Sequence, residues 1–88
     1  MAERQATIAS SSGLHARPAM QFVDVANQFQ SGIKVWKGDQ VVDGKSIMQM
    51  MMLAATAGTG LKIVAEGEDA EKALDALEKL VNGRFGEE

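Results

Sequence analysis

The residues best suited to chemistry lie in one short run, Gly13-Leu14-His15-Ala16-Arg17-Pro18-Ala19-Met20. His15 is the only histidine of the chain, and it stands immediately before a segment with helical spacing. A helix start presents unpaired N–H groups and the positive end of the macrodipole, which together bind phosphate and disfavour an imidazolium. His15 is therefore expected to be a neutral nucleophile at working pH. Gly13 lets the preceding loop bend sharply, which would bring the imidazole back over the N–H groups near Ala16 and Arg17. Pro18 suits the first helical turn, because its ring fixes φ and its missing N–H would have had no intrahelical partner. The predicted phosphate-stabilising helix start is thus Ala16, Arg17 and Pro18.

Arg17 is the hardest of these residues to explain by folding. A cation in the first turn opposes the helix dipole at a cost of a few tenths to about 1 kcal/mol. A guanidinium there can pair in bidentate fashion with a phosphate dianion on His15, and can later point at an acidic partner. Taken singly, His15 reads equally well as a capping or packed imidazole, and Arg17 as a solvated surface residue. Glycine, histidine, arginine and proline in this order at a helix start favour phosphoryl chemistry.

A second candidate is Ser46, in Lys45-Ser46-Ile47-Met48-Gln49. Serine followed three residues later by glutamine is the capping-box spacing, in which each side chain satisfies a backbone N–H at a helix start. The cap alone, worth about 1 kcal/mol, would justify the serine. A phosphate at such a start would also be favourable to the dipole and would change the charge near a docking surface. The run Ile47, Met48, Met50, Met51, Met52 and Leu53 is too apolar all round for a helix with one face on a sheet. Spacing turns Ile47, Met50, Leu53 and Ala54 inward and leaves Met48, Met51 and Met52 outside, where flexible thioethers suit several partners. With Met20 after the active-site turn, the candidate docking patch is Met20, Ile47, Met48, Met51 and Met52. Gap-filling in a small core is the plainer role for any one methionine.

The elements that would position these groups follow from pattern. Arg4 to Ala9 alternates loosely, with Ala6 and Ile8 on one side, and predicts a first strand. Ala19, Phe22, Val23 and Ala26 make the apolar face of a helix over residues 16–29. Ile33 and Val35 alternate with Lys34 and Trp36, placing Trp36 on the opposite, solvent side. Gly38-Asp39 is a glycine-first pair suited to a type II′ hairpin turn, with residues 40–43 as the returning strand. A short helix after Ser46 should reach about Ala55. Leu61, Ile63 and Ala65 alternate with Lys62, Val64 and Glu66 as the clearest strand. Asp69 is placed to cap a last helix with the stripe Ala73, Leu74, Leu77, Leu80 and Val81, ended by Asn82-Gly83. The order is β-α-β-β-α-β-α. Strands with one apolar face predict an α+β open-faced β-sandwich, a four-stranded antiparallel sheet with three helices on one face.

Composition narrows the rest. The chain has 88 residues, enough for one domain over residues 1–88 with a modest core. It has no cysteine, so neither a disulfide framework nor a thiolate metal site is expected. One histidine without cysteine, among carboxylates that show no ligand spacing, argues against a metalloenzyme or an independent hydrolase. The net charge is −3, with no basic cluster, which argues against nucleic acid as the main partner. No apolar run approaches the length of a membrane span, and the first residues do not read as a secretory signal, so a cytoplasmic protein is expected.

Gly13-Leu14-His15-Ala16-Arg17-Pro18-Ala19 resembles the active-site signature of HPr, the histidine-containing phosphocarrier family of the bacterial phosphoenolpyruvate-dependent sugar phosphotransferase system. Gly44-Lys45-Ser46-Ile47-Met48, with Leu53 and Ala54 after it, is similar to the family's second signature. The resemblance extends over nearly the whole chain. It implies that His15 is phosphorylated on Nδ1 by enzyme I, which draws on phosphoenolpyruvate, and passes the group to enzyme IIA domains, with Arg17 assisting both transfers. It implies no cofactor, a carrier rather than an enzyme turning over alone, and a monomer. It further implies an apolar docking surface around the helices, and Ser46 as a regulatory site for the HPr kinase/phosphorylase where that partner exists. A regulatory binding module, or the nitrogen-type branch of the system using the same histidine as a signal, is the alternative reading.

Overall fold

The structure is a computed structural model in which residues 2–8, 16–53 and 58–83 are described. Along the chain run β1 (Ala2–Thr7), α1 (Ala16–Ala26), β2 (Gly32–Lys37), β3 (Gln40–Asp43), α2 (Ile47–Met52), β4 (Gly60–Glu66) and α3 (Ala70–Asn82). The strands form one antiparallel sheet in the order β1-β4-β2-β3. This is the predicted order of elements and the predicted kind of sheet.

Register explains why one face is covered. Pairing aligns Arg4, Ile63, Val35 and Val42 in one row, with Ala6–Leu61 and Ala2–Ala65–Ile33 on either side of it. Successive side chains alternate faces, so the neighbouring rows Glu3–Val64–Lys34–Asp43 and Gln5–Lys62–Trp36–Val41 point the other way. The first set joins Ala19, Phe22 and Ala26 of α1, Met50 of α2, and Ala73, Leu74, Leu77 and Val81 of α3 in one buried cluster. The helices thus share one side of the sheet.

Arg4 faces that side from the edge strand. Its guanidinium crosses to α3, where Nη1 donates to Asp75 (2.7 Å) and Glu78 (2.8 Å) and Nη2 to Glu71 (3.1 Å). The three acceptors recur at helical spacing along one face of α3. The hydrogen bonds from Asp75 first and Glu78 next hold the guanidinium above its usual pKa.

Several boundaries differ from the pattern-based ones. β1 begins at Ala2, because pairing with Ala65 and Val64 on β4 extends the strand beyond its apolar alternation; Ala9 lies outside the described residues. α1 stops at Ala26 rather than Phe29. Its last turn tightens to i→i+3 bonds, Gln28 N–H to Val25 C=O (3.0 Å) and Phe29 N–H to Ala26 C=O (3.3 Å), while Asn27 Nδ2 takes the Val23 carbonyl (2.9 Å). An asparagine side chain that binds backbone competes with continued helix. The β2–β3 hairpin closes over two residues, with Lys37 opposite Gln40 and Gly38 at φ +59°, the left-handed conformation that primed turns require.

Asp69 precedes α3 as predicted, but its side chain makes no cap hydrogen bond to that helix. The carboxylate instead reaches across to the α1–β2 connection and accepts from Gln30 N–H (2.8 Å), Ser31 N–H (2.9 Å) and the Ser31 hydroxyl. Ser31 is buried, so its donors need a partner inside the protein, and that demand outcompetes the local cap. Gly67 makes the junction tight. A Cβ there would stand 2.5 Å from Ser31 Oγ, and its φ of +149° excludes most side chains anyway.

Candidate functional site

α1 begins at Ala16, which makes His15 the residue that immediately precedes the helix. His15, Gly13 and the side chain of Ala16 lie outside the described residues. The first turn that follows is described. Pro18 is fully buried, its fixed φ pinning the start of the helix to the core. Proline carries no N–H, so the helix-start donors are those of Ala16, Arg17 and Ala19. No acidic side chain occupies this turn, and Arg17 is exposed. Among the described residues nothing hydrogen-bonds or pairs with its guanidinium. The helix start therefore adds an exposed cation to its own positive dipole end, an arrangement that favours an incoming dianion.

α2 has only six residues, too few to be stable without tertiary support. At its start Ser46 is the N-cap, half-buried, with Oγ accepting from Gln49 N–H at 3.3 Å. The reciprocal half of the capping box is absent: Gln49 Oε1 accepts from Asp43 N–H (2.9 Å) instead of reaching Ser46. Asp43 ends an edge strand whose outward N–H would otherwise be unpaired, and Ser46 N–H already bonds Asp43 C=O (3.1 Å). At the other end Lys37 Nζ donates to Leu53 C=O (2.7 Å) and Gln40 Nε2 to Met52 C=O (3.3 Å). A cation on the last carbonyls suits the helix dipole. The β2–β3 hairpin thus grips α2 at both ends.

The inward and outward faces of α2 fall largely as the spacing predicts. Met50 and Leu53 are fully buried and Ile47 is half-buried against the core, while Met48, Met52 and Met51 are 75%, 66% and 46% exposed and Met20 on α1 is 52% exposed. Ala54 lies outside the described residues, as does any helix beyond Leu53 towards Ala55. Lys45, just before α2, donates through Nζ to Phe29 C=O (2.8 Å) beyond the end of α1. The start of α2 is therefore beside the end of α1. Ser46 stands roughly the length of α1, about 16 Å, from Ala16.

Sequence reasoning missed four of the residues that fix this surface: Lys37, Gln40, Lys45, and Gln49 in its actual role. Each satisfies a backbone or side-chain group distant in sequence, and periodicity carries no signal for that. Trp36 lies on the open face as predicted but is half-buried, with Lys62 Nζ 5.3 Å from its ring centroid, within cation–π range. Among the described residues no helix is long and apolar enough to cross a membrane, and no group of three metal-ligating side chains is assembled.

Comparison with known proteins bears on this site directly. Residues 2–83 match the PTS-HPr family, described as the PTS HPr component phosphorylation site. The phosphocarrier protein HPr of Neisseria meningitidis (strain Z2491) is 45% identical over 87 residues, covering 99% of this chain and 98% of that protein. The crystal structure of HPr-C-His from Thermoanaerobacter tengcongensis superposes with a TM-score of 0.96 at 45% identity, over 100% of this chain and 99% of that one. The HPr dimer from the same organism matches with a TM-score of 0.79, again at 45% identity, over 99% and 100% of the two chains. Agreement of sequence and fold along the full length, with a cationic helix start directly after the single histidine, means that the chain belongs to the HPr family of phosphocarrier proteins.

Proposed function

We propose that this chain accepts one phosphoryl group on His15 from phosphorylated enzyme I and delivers it to enzyme IIA domains, in the service of sugar uptake. The neutral imidazole attacks phosphorus through Nδ1. A P–N bond forms as the bond to the donor breaks, and the donor group leaves with its electron pair. The observation that carries this reading is the first turn of α1: buried Pro18, no carboxylate, and an exposed Arg17 that pairs with nothing among the described residues. Arg17 supplies bidentate donors to the phosphoryl oxygens, and the N–H groups of the turn supply more. The high transfer potential of the P–N bond leaves the group ready to pass to an acceptor on enzyme IIA, with the His15 imidazole leaving with its electron pair.

Met20 of α1 with Ile47, Met48, Met51 and Met52 of α2 form the docking surface. Apolar, flexible side chains suit a carrier that must release one partner and engage another. Ser46 acts at a distance. Roughly 16 Å from the start of α1, a phosphate there would be screened from His15 across about two Debye lengths, so its regulatory effect is exerted on docking at α2. The HPr kinase/phosphorylase is its expected partner. The chain works as a monomer in this relay, which its mass by light scattering would show.

The test is reconstitution. The protein, phosphorylated in advance and freed of enzyme I, is mixed with a purified enzyme IIA domain, and both masses are followed. Stoichiometric passage of the label to enzyme IIA is expected. Loss of the phosphoryl group to water with no gain by any enzyme IIA domain tested would contradict the relay.

A further inference from the structure

The described methionines divide sharply. Met48, Met52, Met20 and Met51 are exposed, while Met50, within the same six-residue helix, is wholly buried. Three of the exposed thioethers fall at i, i+3 and i+4 of α2, so they share one face of it. Leucine would cover a purely apolar surface and propagates a helix about as well as methionine. Besides flexibility, methionine adds chemistry: its sulfur is oxidised under conditions that leave leucine untouched, and the product can be reduced back.

We infer that the exposed face of α2, with Met20, is an oxidation-sensitive switch in which sulfoxide formation at Met48, Met51 and Met52 turns off partner docking while the fold persists. With hydrogen peroxide as oxidant the step is balanced: the thioether sulfur lone pair takes one oxygen, the O–O bond breaks, and water leaves. Sulfur is oxidised by two electrons and the peroxide is reduced by two. Each sulfoxide places a strong hydrogen-bond acceptor where an apolar surface meets a partner, and burying an acceptor without a donor opposes docking. The fold persists because the oxidised atoms are those facing water. Met50 packs among Phe22, Leu53 and their neighbours, beyond reach of the oxidant in the folded state. Methionine sulfoxide reductases of the two epimer classes would reverse the change. The inference rests on the docking role proposed above for α2.

The untreated full chain is first shown to be phosphorylated by enzyme I and phosphoenolpyruvate; failure at this point would overturn the carrier reading and this switch with it. The chain is then titrated with hydrogen peroxide and mapped by peptide mass spectrometry, with circular dichroism on the same samples. Sulfoxide is expected at Met48 and Met52 before Met20 and Met51, with Met50 reduced and the spectrum native. At low protein concentration the phosphorylation rate should then fall by at least about tenfold, and sulfoxide reductases should restore it. A quadruple variant, Met20→Leu with Met48→Leu, Met51→Leu and Met52→Leu, should show the same rate before and after peroxide, whatever that rate is. Oxidised, natively folded protein that keeps its rate would overturn the proposal, as would oxidation of Met50 in step with the others.

Discussion

Gly44→Ala tests how closely the support of the docking helix is packed. Gly44 joins β3 to α2, and a Cβ built there would lie 2.6 Å from Ile33 Cγ2, 3.1 Å from Ile33 Cβ and 3.2 Å from Phe22 Cε1. Carbon atoms pack best at about 3.5–4.0 Å, so Ile33 would have to retreat by roughly 1 Å. It cannot do so freely. Ile33 and Phe22 are both buried in the core, a β-branched side chain has few alternative rotamers, and Gly44 N–H is itself bonded to Ile33 C=O at 2.8 Å. Overpacking of this kind costs about 1–3 kcal/mol. For a chain of this length each kcal/mol lowers the melting temperature by about 4–8 °C. Thermal unfolding should therefore show a fall of about 4 °C at the least, reaching about 24 °C at the upper end, with a lower urea midpoint. Gly32→Ala is the matched control, since a Cβ there meets nothing within 4 Å; it should be neutral or stabilise by up to about 1 kcal/mol. If the two variants melt alike, the close approach of Gly44 is not what seats α2.

Other expected outcomes can be read with similar assays. Asp69 is held below the usual carboxylate range, first by the Ser31 hydroxyl and then by the Gln30 and Ser31 N–H groups. Its contribution is therefore fully present above about pH 4 and lost as pH falls through the lowered folded value. Asp69→Asn should destabilise at neutral pH, with the deficit closing as wild type and variant are unfolded at increasingly acid pH; a deficit that stays constant down to pH 2 would refute this sign. Ser46→Ala should cost about 1 kcal/mol through loss of the cap, seen in urea unfolding. Ser46→Asp should retain the cap but raise the apparent KM for phosphorylation by enzyme I with little change in kcat, because the charge acts on docking. Arg17→Ala should leave stability unchanged and slow phosphorylation by about ten- to a hundredfold, the worth of charge-assisted hydrogen bonds to the phosphoryl group; an unchanged rate would return Arg17 to a solvated surface residue.

The fold was legible where burial follows local period. Leu61, Ile63 and Ala65 alternate cleanly because β4 lies inside the sheet with one face on the core, and the stripe on α3 reads directly because that whole face is buried. Local reading failed where a polar group answers to something distant. Asp69 and Gln49 both stand at cap positions, yet each serves a backbone N–H on another segment, because buried or edge donors without acceptors cost more than a missing cap. The end of α1 was misplaced because its last turn tightens to i→i+3 bonds at Val25 and Ala26, a change of hydrogen bonding that the apolar spacing does not signal. In the candidate site, the helix start and the exposure of Arg17 and of the methionines follow from residue type and spacing. The grip of Lys37 and Gln40 on α2 depends on strand pairing and left no trace in the sequence.

The central claim is that His15 carries the phosphoryl group. The pure protein is incubated with phosphoenolpyruvate, magnesium and a competent enzyme I, and its intact mass is recorded beside that of His15→Ala, whose folding is checked by circular dichroism. One acid-labile phosphoryl group on the wild type and none on the folded variant is the predicted result. An equal gain of phosphate by folded His15→Ala, or no gain by the wild type, would contradict the account.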